Sequence, residues 1–328
     1  MRDCLRAPGA LLLILIGLVA GCGAEPGSEA PQRRFLSLGT APPGGAFFVV
    51  GSALGEVLQA HGPGGWQVTA EATKGTQENI RRLASGELDL ALANAAISHF
   101  AVRGEGGWEQ AYGIRAVMTL APNVALFITP TDSGVERLAD LAGRRVVVGP
   151  AGAGFEYFLR PILAAHGVTY EEFTQLYATQ AGAVDLLADG SADAAFLGGA
   201  VPTASITQAA TTQDVRFVPF DEQAKESLVA DYPFFARASV PAGTYRGQEE
   251  EFLGLNVGSM HLVAFESADE ELIYQATRTL WEQRERVVEK HAAGRAIQAG
   301  NVVRDTGTPF HPGAERFYRE IGIWPADG

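Results

Sequence analysis

The stretch ATKGTQENIRRLASGELDLALANA, residues 72–95, decides the fold. The apolar run Trp66–Ala72 ends in Thr73-Lys74-Gly75-Thr76-Gln77-Glu78-Asn79, a small-residue turn that opens a helix, and the chain returns as a second apolar run, Leu88–Ala93. Strand, glycine turn, helix and strand in that order form a βαβ unit, the building block of a layered α/β protein.

The same alternation continues from Phe35 onward. Further strands are expected at Phe35–Leu38, Ile114–Leu120, Val124–Thr129, Arg145–Val148, Ala194–Leu197, Val215–Pro219 and Leu255–Phe265. Helices are expected at Val135–Leu141, Gly154–His166 and, most clearly, Glu270–His291, where Ile273, Ala276, Leu280 and Val287 recur at helical spacing. The strands Val124–Thr129 and Leu255–Phe265 are long and read as crossings between two α/β lobes. One lobe is then built from both chain ends, with ligand binding between the two.

Two other segments repeat the glycine-led design: Thr40-Ala41-Pro42-Pro43-Gly44-Gly45-Ala46-Phe47-Phe48 and Gly149-Pro150-Ala151-Gly152-Ala153-Gly154-Phe155-Glu156. A helix start carries unpaired N–H groups and the positive end of the helix dipole, and glycine lets a ligand approach the backbone. Several such starts at strand ends make a site for a small polar or anionic group. The last segment lacks the Lys-Ser/Thr of a P-loop, and its glycine order is not that of a dinucleotide site, which sets nucleotides aside.

The 328 residues suffice for about two domains at ~150 residues each, and 47% hydrophobic against 19% charged residues supplies a packed core. The formal charge of −13 repels nucleic acid and anionic lipid surfaces. Arg2 and Arg6 precede the run Leu11–Leu18, which is too short for a ~20-residue membrane span but right for a secretory signal. Val19-Ala20-Gly21-Cys22 follows as a bacterial lipobox, so residues 1–21 are expected to be cleaved and Cys22 lipidated. An ordinary cleaved signal with Cys22 incidental is the alternative, and it too exports the chain. Residues 22–34 read as a flexible tether, because Gly23–Gln32 holds no large apolar side chain. After cleavage one cysteine remains, which rules out an internal disulfide or thiolate metal cluster.

Five blocks carry a family resemblance: GGAFFVVG (44–51), residues 72–95 above, SGVERLADLAGRRVVVGPAGAG (133–154), VPAGTYRGQEEEF (240–252) and TPFHPGAERFYREIGIWP (308–325). In content and order they resemble the TAXI proteins, the substrate-binding proteins of one class of TRAP transporters. The resemblance covers Phe35 to Trp324. It implies a type II periplasmic-binding-protein architecture, with two Rossmann-like lobes closing on a solute and delivery to a cation-coupled permease. Lobe I is expected at 35–125 plus 262–328 and lobe II at 126–261.

The chain departs from the family where ligand is expected. The family's Gly-Thr-Tyr-Tyr-Pro reads Gly45-Ala46-Phe47-Phe48-Val49, its Gly-Ser-Gly-Thr-Arg reads Gly152-Ala153-Gly154-Phe155-Glu156, and its Gln-Ser-Asp reads Asn94-Ala95-Ala96. Each lost hydroxyl removes a hydrogen bond worth about 0.5–1.5 kcal/mol, while each covered Phe adds about 1.5–3 kcal/mol. A ligand less polar than glutamate or 2-oxoglutarate is therefore expected. The expected contacts are Gly45, Ala46, Phe47, Phe48, Lys74, Thr76, Asn94, Ala153, Gly154, Phe155, Glu156 and Pro202. Phe48 has a core-facing alternative, Lys74 one as a solvated loop charge, and Glu156 either stabilises its helix start or pairs with a cationic ligand.

His61, His99, His166, His261, His291 and His311 are scattered without metal-ligand spacing, and no GxSxG elbow is present. No metal, cofactor or enzyme activity is expected. The expected protein is a monomeric, lipid-anchored periplasmic receptor that hands a small organic solute to a TRAP-type permease. The alternative is a lipoprotein carrier or sensor for an apolar molecule, without such a permease.

Overall fold

A computed structural model describes residues 33–325; the expected signal, Cys22 and the tether up to residue 32 lie outside the described residues. In chain order the strands are β1 (Arg34–Gly39), β2 (Trp66–Glu71), β3 (Leu90–Asn94) and β4 (Ile114–Thr119). These are followed by β5 (Val124–Pro130), β6 (Arg145–Val147), β7 (Thr174–Leu176), β8 (Ala194–Gly199), β9 (Val215–Val218), β10 (Phe235–Val240), β11 (Phe252–Val257) and β12 (Met260–Phe265). Helices α1 (Ala46–His61), α2 (Thr76–Ala84), α3 (Ala95–Arg103), α4 (Glu156–Ala165), α5 (Gln180–Ala188), α6 (Ala204–Thr212), α7 (Glu222–Asp231) and α8 (Glu270–Glu282) alternate with them.

Two sheets result, one per lobe. The first has the order β2-β1-β3-β12-β4, and the second runs β10-β11-β5-β8-β6-β7 with β9 also on β5. β1 pairs in parallel with β2 and β3, as the βαβ reading requires. β12 enters antiparallel between β3 and β4, because it arrives from the other lobe. β5 is antiparallel to β8, and its other edge is shared, β11 taking Val124 and Ala125 and β9 taking Phe127–Pro130. This is the α/β architecture of type II periplasmic binding proteins.

Apolar burial follows the layers. In the first lobe Leu36, Leu38, Leu90 and Leu92 pack with Val50, Leu54 and Leu58 of α1 and Ile273 and Leu280 of α8. In the second, Leu126, Ile128, Ala195 and Leu197 pack with Val184 and Leu187 of α5 and Ile206 of α6. A third cluster is continuous between the lobes, joining Ile97, Ala101 and Trp108 to Phe127, Tyr157, Phe158 and Phe234.

The crossings lie elsewhere than inside long strands. Val124–Pro130 belongs wholly to the second sheet, and Leu255–Phe265 is two strands broken at Gly258-Ser259. The chain passes from the first sheet to the second at residues 120–123 and returns at 258–259. Gly258 is the reason for the break: its φ is +100°, and a Cβ there would lie 2.6 Å from the Ala96 nitrogen. The expected helix over 270–291 is likewise interrupted at Gln283. Residues 135–141 form only a short 3-10 turn, Leu138–Leu141. Among the described residues no helix is long and apolar enough to cross a membrane.

Candidate functional site

Between the lobes lies a cavity of about 70 Å³, measured as the space open to the centres of water molecules. That is above the ~10–15 Å³ a cavity needs to admit a water molecule. Part of its wall is glycine and alanine, where the two lobes approach closely, and part is the rings of Phe47, Phe155 and Phe196. A Cβ on Gly75 would lie 3.6 Å from that of Ala153, and one on Gly199 3.4 Å from that of Ala46.

Four helices begin at this cavity. α1 starts after Gly45 and α2 after Gly75, whose φ is +118°, and neither start has a side-chain cap. α4 starts after Phe155, also uncapped, and α5 after Thr179, whose hydroxyl accepts from the Gly182 N–H at 3.1 Å. The glycine turns that the sequence singled out thus supply three of the four, one from each segment. Each start brings the positive end of its dipole to this region, opposed by Glu78 and Glu156 in the first turns of α2 and α4.

Of the expected contacts, Gly45, Ala46, Phe47, Lys74, Thr76, Asn94, Ala153 and Phe155 line the cavity. Phe48, Gly154, Glu156 and Pro202 do not line it. Phe48 is half-buried on α1, Glu156 is the first residue of α4, and Gly154 packs beside Ile97 and Tyr157. Pro202 instead lines a recess on another face, with Pro122, Ser239 and Arg295.

Phe155 is held over the cavity by ring contacts at 5.3 Å to Phe158 and 5.7 Å to Phe196. Gly149 permits this placement, since a Cβ there would lie 2.3 Å from the Phe155 ring. Lys74 is exposed at the rim, and its ammonium has no ion-pair partner among the described residues. It is the single charged residue of the lining, which contains no Asp or Glu.

Asn94 is chemically spent. Its Oδ1 accepts from the N–H groups of Ala96 (2.9 Å) and Ile97 (3.3 Å), capping α3, and its Nδ2 donates to the carbonyls of Val257 (3.1 Å) and Gly258 (2.9 Å). It ties the second crossing to the first lobe and has no hydrogen left for a ligand. Thr76 is buried and accepts from the Asn94 N–H at 3.0 Å, which leaves its own hydroxyl proton unassigned.

Sequence reasoning missed Asn123, Thr179, Gln180 and Phe196 in the lining. Gln180 donates to the Gly198 carbonyl at 2.6 Å and accepts from Ser205 at 2.8 Å. The α5 start was not legible because the strand feeding it, β7, has only the three residues Thr174–Leu176. Asn123 lies in the first crossing. Its N–H donates to Asn256 at 3.0 Å and its carbonyl accepts from the Val257 N–H at 2.9 Å. Its side-chain amide has no hydrogen-bond partner among the described residues.

A polar chain closes the hinge behind the cavity. Asn256 donates to Ser259 at 2.9 Å, Arg304 also donates to Ser259, and His261 meets Ser98 at 2.9 Å. Among the described residues no group of three or more His, Cys, Asp or Glu side chains gathers at metal-binding distances.

Two lobes around one solute-sized cavity define the class of fold, and comparison with solved structures agrees on it. A Bordetella bronchiseptica protein matches at TM-score 0.53 and 13% identity, over 89% of this chain and 90% of that one. The alkanesulfonate-binding protein SsuA from Xanthomonas axonopodis pv. citri, bound to MOPS, matches at TM-score 0.50 and 18% identity, over 90% and 86%. A structure described for glutathione import through GshT and the cystine ABC importer of Streptococcus mutans matches at TM-score 0.50 and 13% identity, over 79% and 93%. The NMT1-like family matches residues 38–322, and the chain belongs to it.

Proposed function

We propose that this protein is an extracytoplasmic solute-binding protein that captures a small organic molecule between its lobes and delivers it to a membrane permease. The cavity shared by both lobes, where four helix starts converge, carries this reading. The ligand is less polar than glutamate or 2-oxoglutarate, because Phe47, Phe155, Phe196 and prolines 42, 43 and 150 form much of the lining. Cys22 anchors the chain by lipid, and the protein works as a monomer, since closure is internal to one chain.

The resemblance of the five sequence blocks to TAXI proteins supports a TRAP-type permease as partner. A second reading, delivery to an ABC-type importer, is favoured by the likeness to the Streptococcus mutans structure described for ABC import. Crosslinking in the bacterium that makes the protein separates the two. Recovery of TRAP-type membrane subunits supports the first, and recovery of an ABC membrane domain with its ATPase supports the second. Native mass spectrometry of the freshly purified chain tests the common part, with a 1:1 small-molecule adduct as the expected result and its absence, with no adduct formed on incubation with cell extract, as the result against it.

A further inference from the structure

We propose that Tyr157 is a positioning residue, a knob on the second lobe that the loop between α3 and β4 of the first lobe clasps, and that this clasp sets how readily the lobes part over the cavity. The proposal rests on the solute-binding reading above and assigns to it the residue that governs opening.

Tyr157 stands in the first turn of α4, in the second lobe, yet much of its ring is covered by the first. Trp108 stacks on it at 5.7 Å with 21° between the ring planes, and Phe100 of α3 meets it at 5.7 Å. Gln77 of α2 donates to its hydroxyl at 3.4 Å. The loop passes so close that a Cβ on Gly106 would lie 2.8 Å from the ring. Gly106 has a φ of +67°, so this turn favours glycine and leaves room for the ring. Arg81 of α2 lies over the Trp108 ring at 5.3 Å on the first-lobe side of the contact. The result is a tyrosine only 6% exposed, buried largely by a lobe to which it does not belong.

The same turn reaches the cavity. Phe155, two residues earlier, lines it, and Ala153 meets Gly75 across it. A Cβ on Gly154 would lie 3.2 Å from the Ile97 side chain of α3. The start of α4 is thus held to the first lobe at Ala153, Gly154 and Tyr157, and a rotation that widens the cavity draws Tyr157 out of its socket. Withdrawal returns the rings of Tyr157, Trp108 and Phe100 to water, which opposes opening whether or not a solute is present.

The test reads the distance between the lobes by pulsed double-resonance EPR, on the exported chain freed of co-purified solute by unfolding and refolding. Cys22→Ser removes the one cysteine left after cleavage, and spin labels are placed at Ala60→Cys on α1 and Gln208→Cys on α6, both exposed. The chain with Tyr157 intact is expected to give one dominant distance, that of the structure. Tyr157→Ala is expected to add a longer distance, raising the open-to-closed ratio about tenfold or more, whereas Tyr157→Phe keeps the ring and the single distance. Gly106→Ala, which pushes a methyl group at the ring from an exposed loop, is expected to act like Tyr157→Ala and decides the matter if that variant does not fold. A lowered urea midpoint with an unchanged distance distribution in both Tyr157→Ala and Gly106→Ala would make Tyr157 a packing residue only and overturn the proposal. A dominant longer distance in the chain with Tyr157 intact would overturn it too. Because the distances are read without solute, a 1:1 adduct in native mass spectrometry would leave the solute-binding reading standing even if the clasp failed.

Discussion

The two lobes meet at two unlike places. Beside the cavity an aromatic seam joins them: Tyr157 of α4 lies 5.7 Å from both Phe100 and Trp108, and Phe234 lies 5.8 Å from Phe100 and 5.0 Å from His99. At the cavity the lobes approach through Gly75 against Ala153 and Gly199 against Ala46, with Asn123 among the lining residues. The seam is held by ring packing and leaves Trp108 Nε1 and His99 Nδ1 buried without hydrogen-bond partners among the described residues. The seam thus joins the lobes by large aromatic rings, whereas the cavity wall brings them together through small residues.

Four measurements break or sharpen this contrast. The largest effect is expected at the seam. Trp108 is 5% exposed, stacks on Tyr157 and carries Arg81 over its ring at 5.3 Å. Trp108→Ala is expected to cost about 3–5 kcal/mol in urea unfolding. A loss below ~1 kcal/mol would show that the seam contributes little.

Acid is expected to act next. Burial, reinforced by Arg103, pushes the His99 imidazole down to about 4, against opposing effects of Asp305 and the Gly307 backbone. Burial, reinforced by Arg304, pushes His261 down to about 3. Both stay neutral in the folded chain where an unfolded chain protonates near 6.5. The unfolded state then binds more protons, so stability falls as pH drops from ~6.5 toward these values, by up to about 1.4 kcal/mol per pH unit for each histidine. Urea midpoints measured from pH 7 to 4.5 check the slope, and His261→Gln is expected to make it shallower. A profile flat over that range would contradict both directions.

At the hinge Asn94→Ala removes the α3 cap and frees the Val257 and Gly258 carbonyls, with an expected loss of about 2 kcal/mol. Urea unfolding reads it, and a loss with unchanged ligand affinity per folded molecule would place Asn94 with the scaffold. The smallest effect separates two neighbours on α1. Phe48→Ala is expected to change stability by about 1 kcal/mol or less and leave the ligand-induced thermal shift intact. Phe47→Ala, which removes a lining ring, is expected to reduce that shift. Equal responses from both would erase the distinction between them.

Much of the fold was legible because periodicity and glycine act locally. The turn at Thr73-Lys74-Gly75 needs φ of +118° at Gly75, and the strands on either side were read to within two residues of β2 and β3. The site was legible where a turn carried it, as with Gly45, Ala153 and Phe155. It was not legible where distant segments had to meet. Asn94 has the side chain of a ligand contact, but the second crossing, some 163 residues later, consumes its amide. Asn123 is an unremarkable polar residue after Pro122 until the hinge buries it in the lining of the cavity.

The sequence by itself determined the alternation of strand and helix, the glycine-led starts of α1, α2 and α4, and the apolar cast of the first and third turns. These follow from backbone sterics and from side chains acting on their own neighbours. The tertiary structure decided that Phe47 rather than Phe48 lines the cavity, and that the chain passes between the two sheets at 120–123 and 258–259. It also decided that the Asn94 side chain is taken up by the scaffold while Asn123, in the first crossing, lines the cavity. Those outcomes depend on which segments are brought together, and a hydrogen bond or a ring contact across the chain has no signature in the residues that flank either partner.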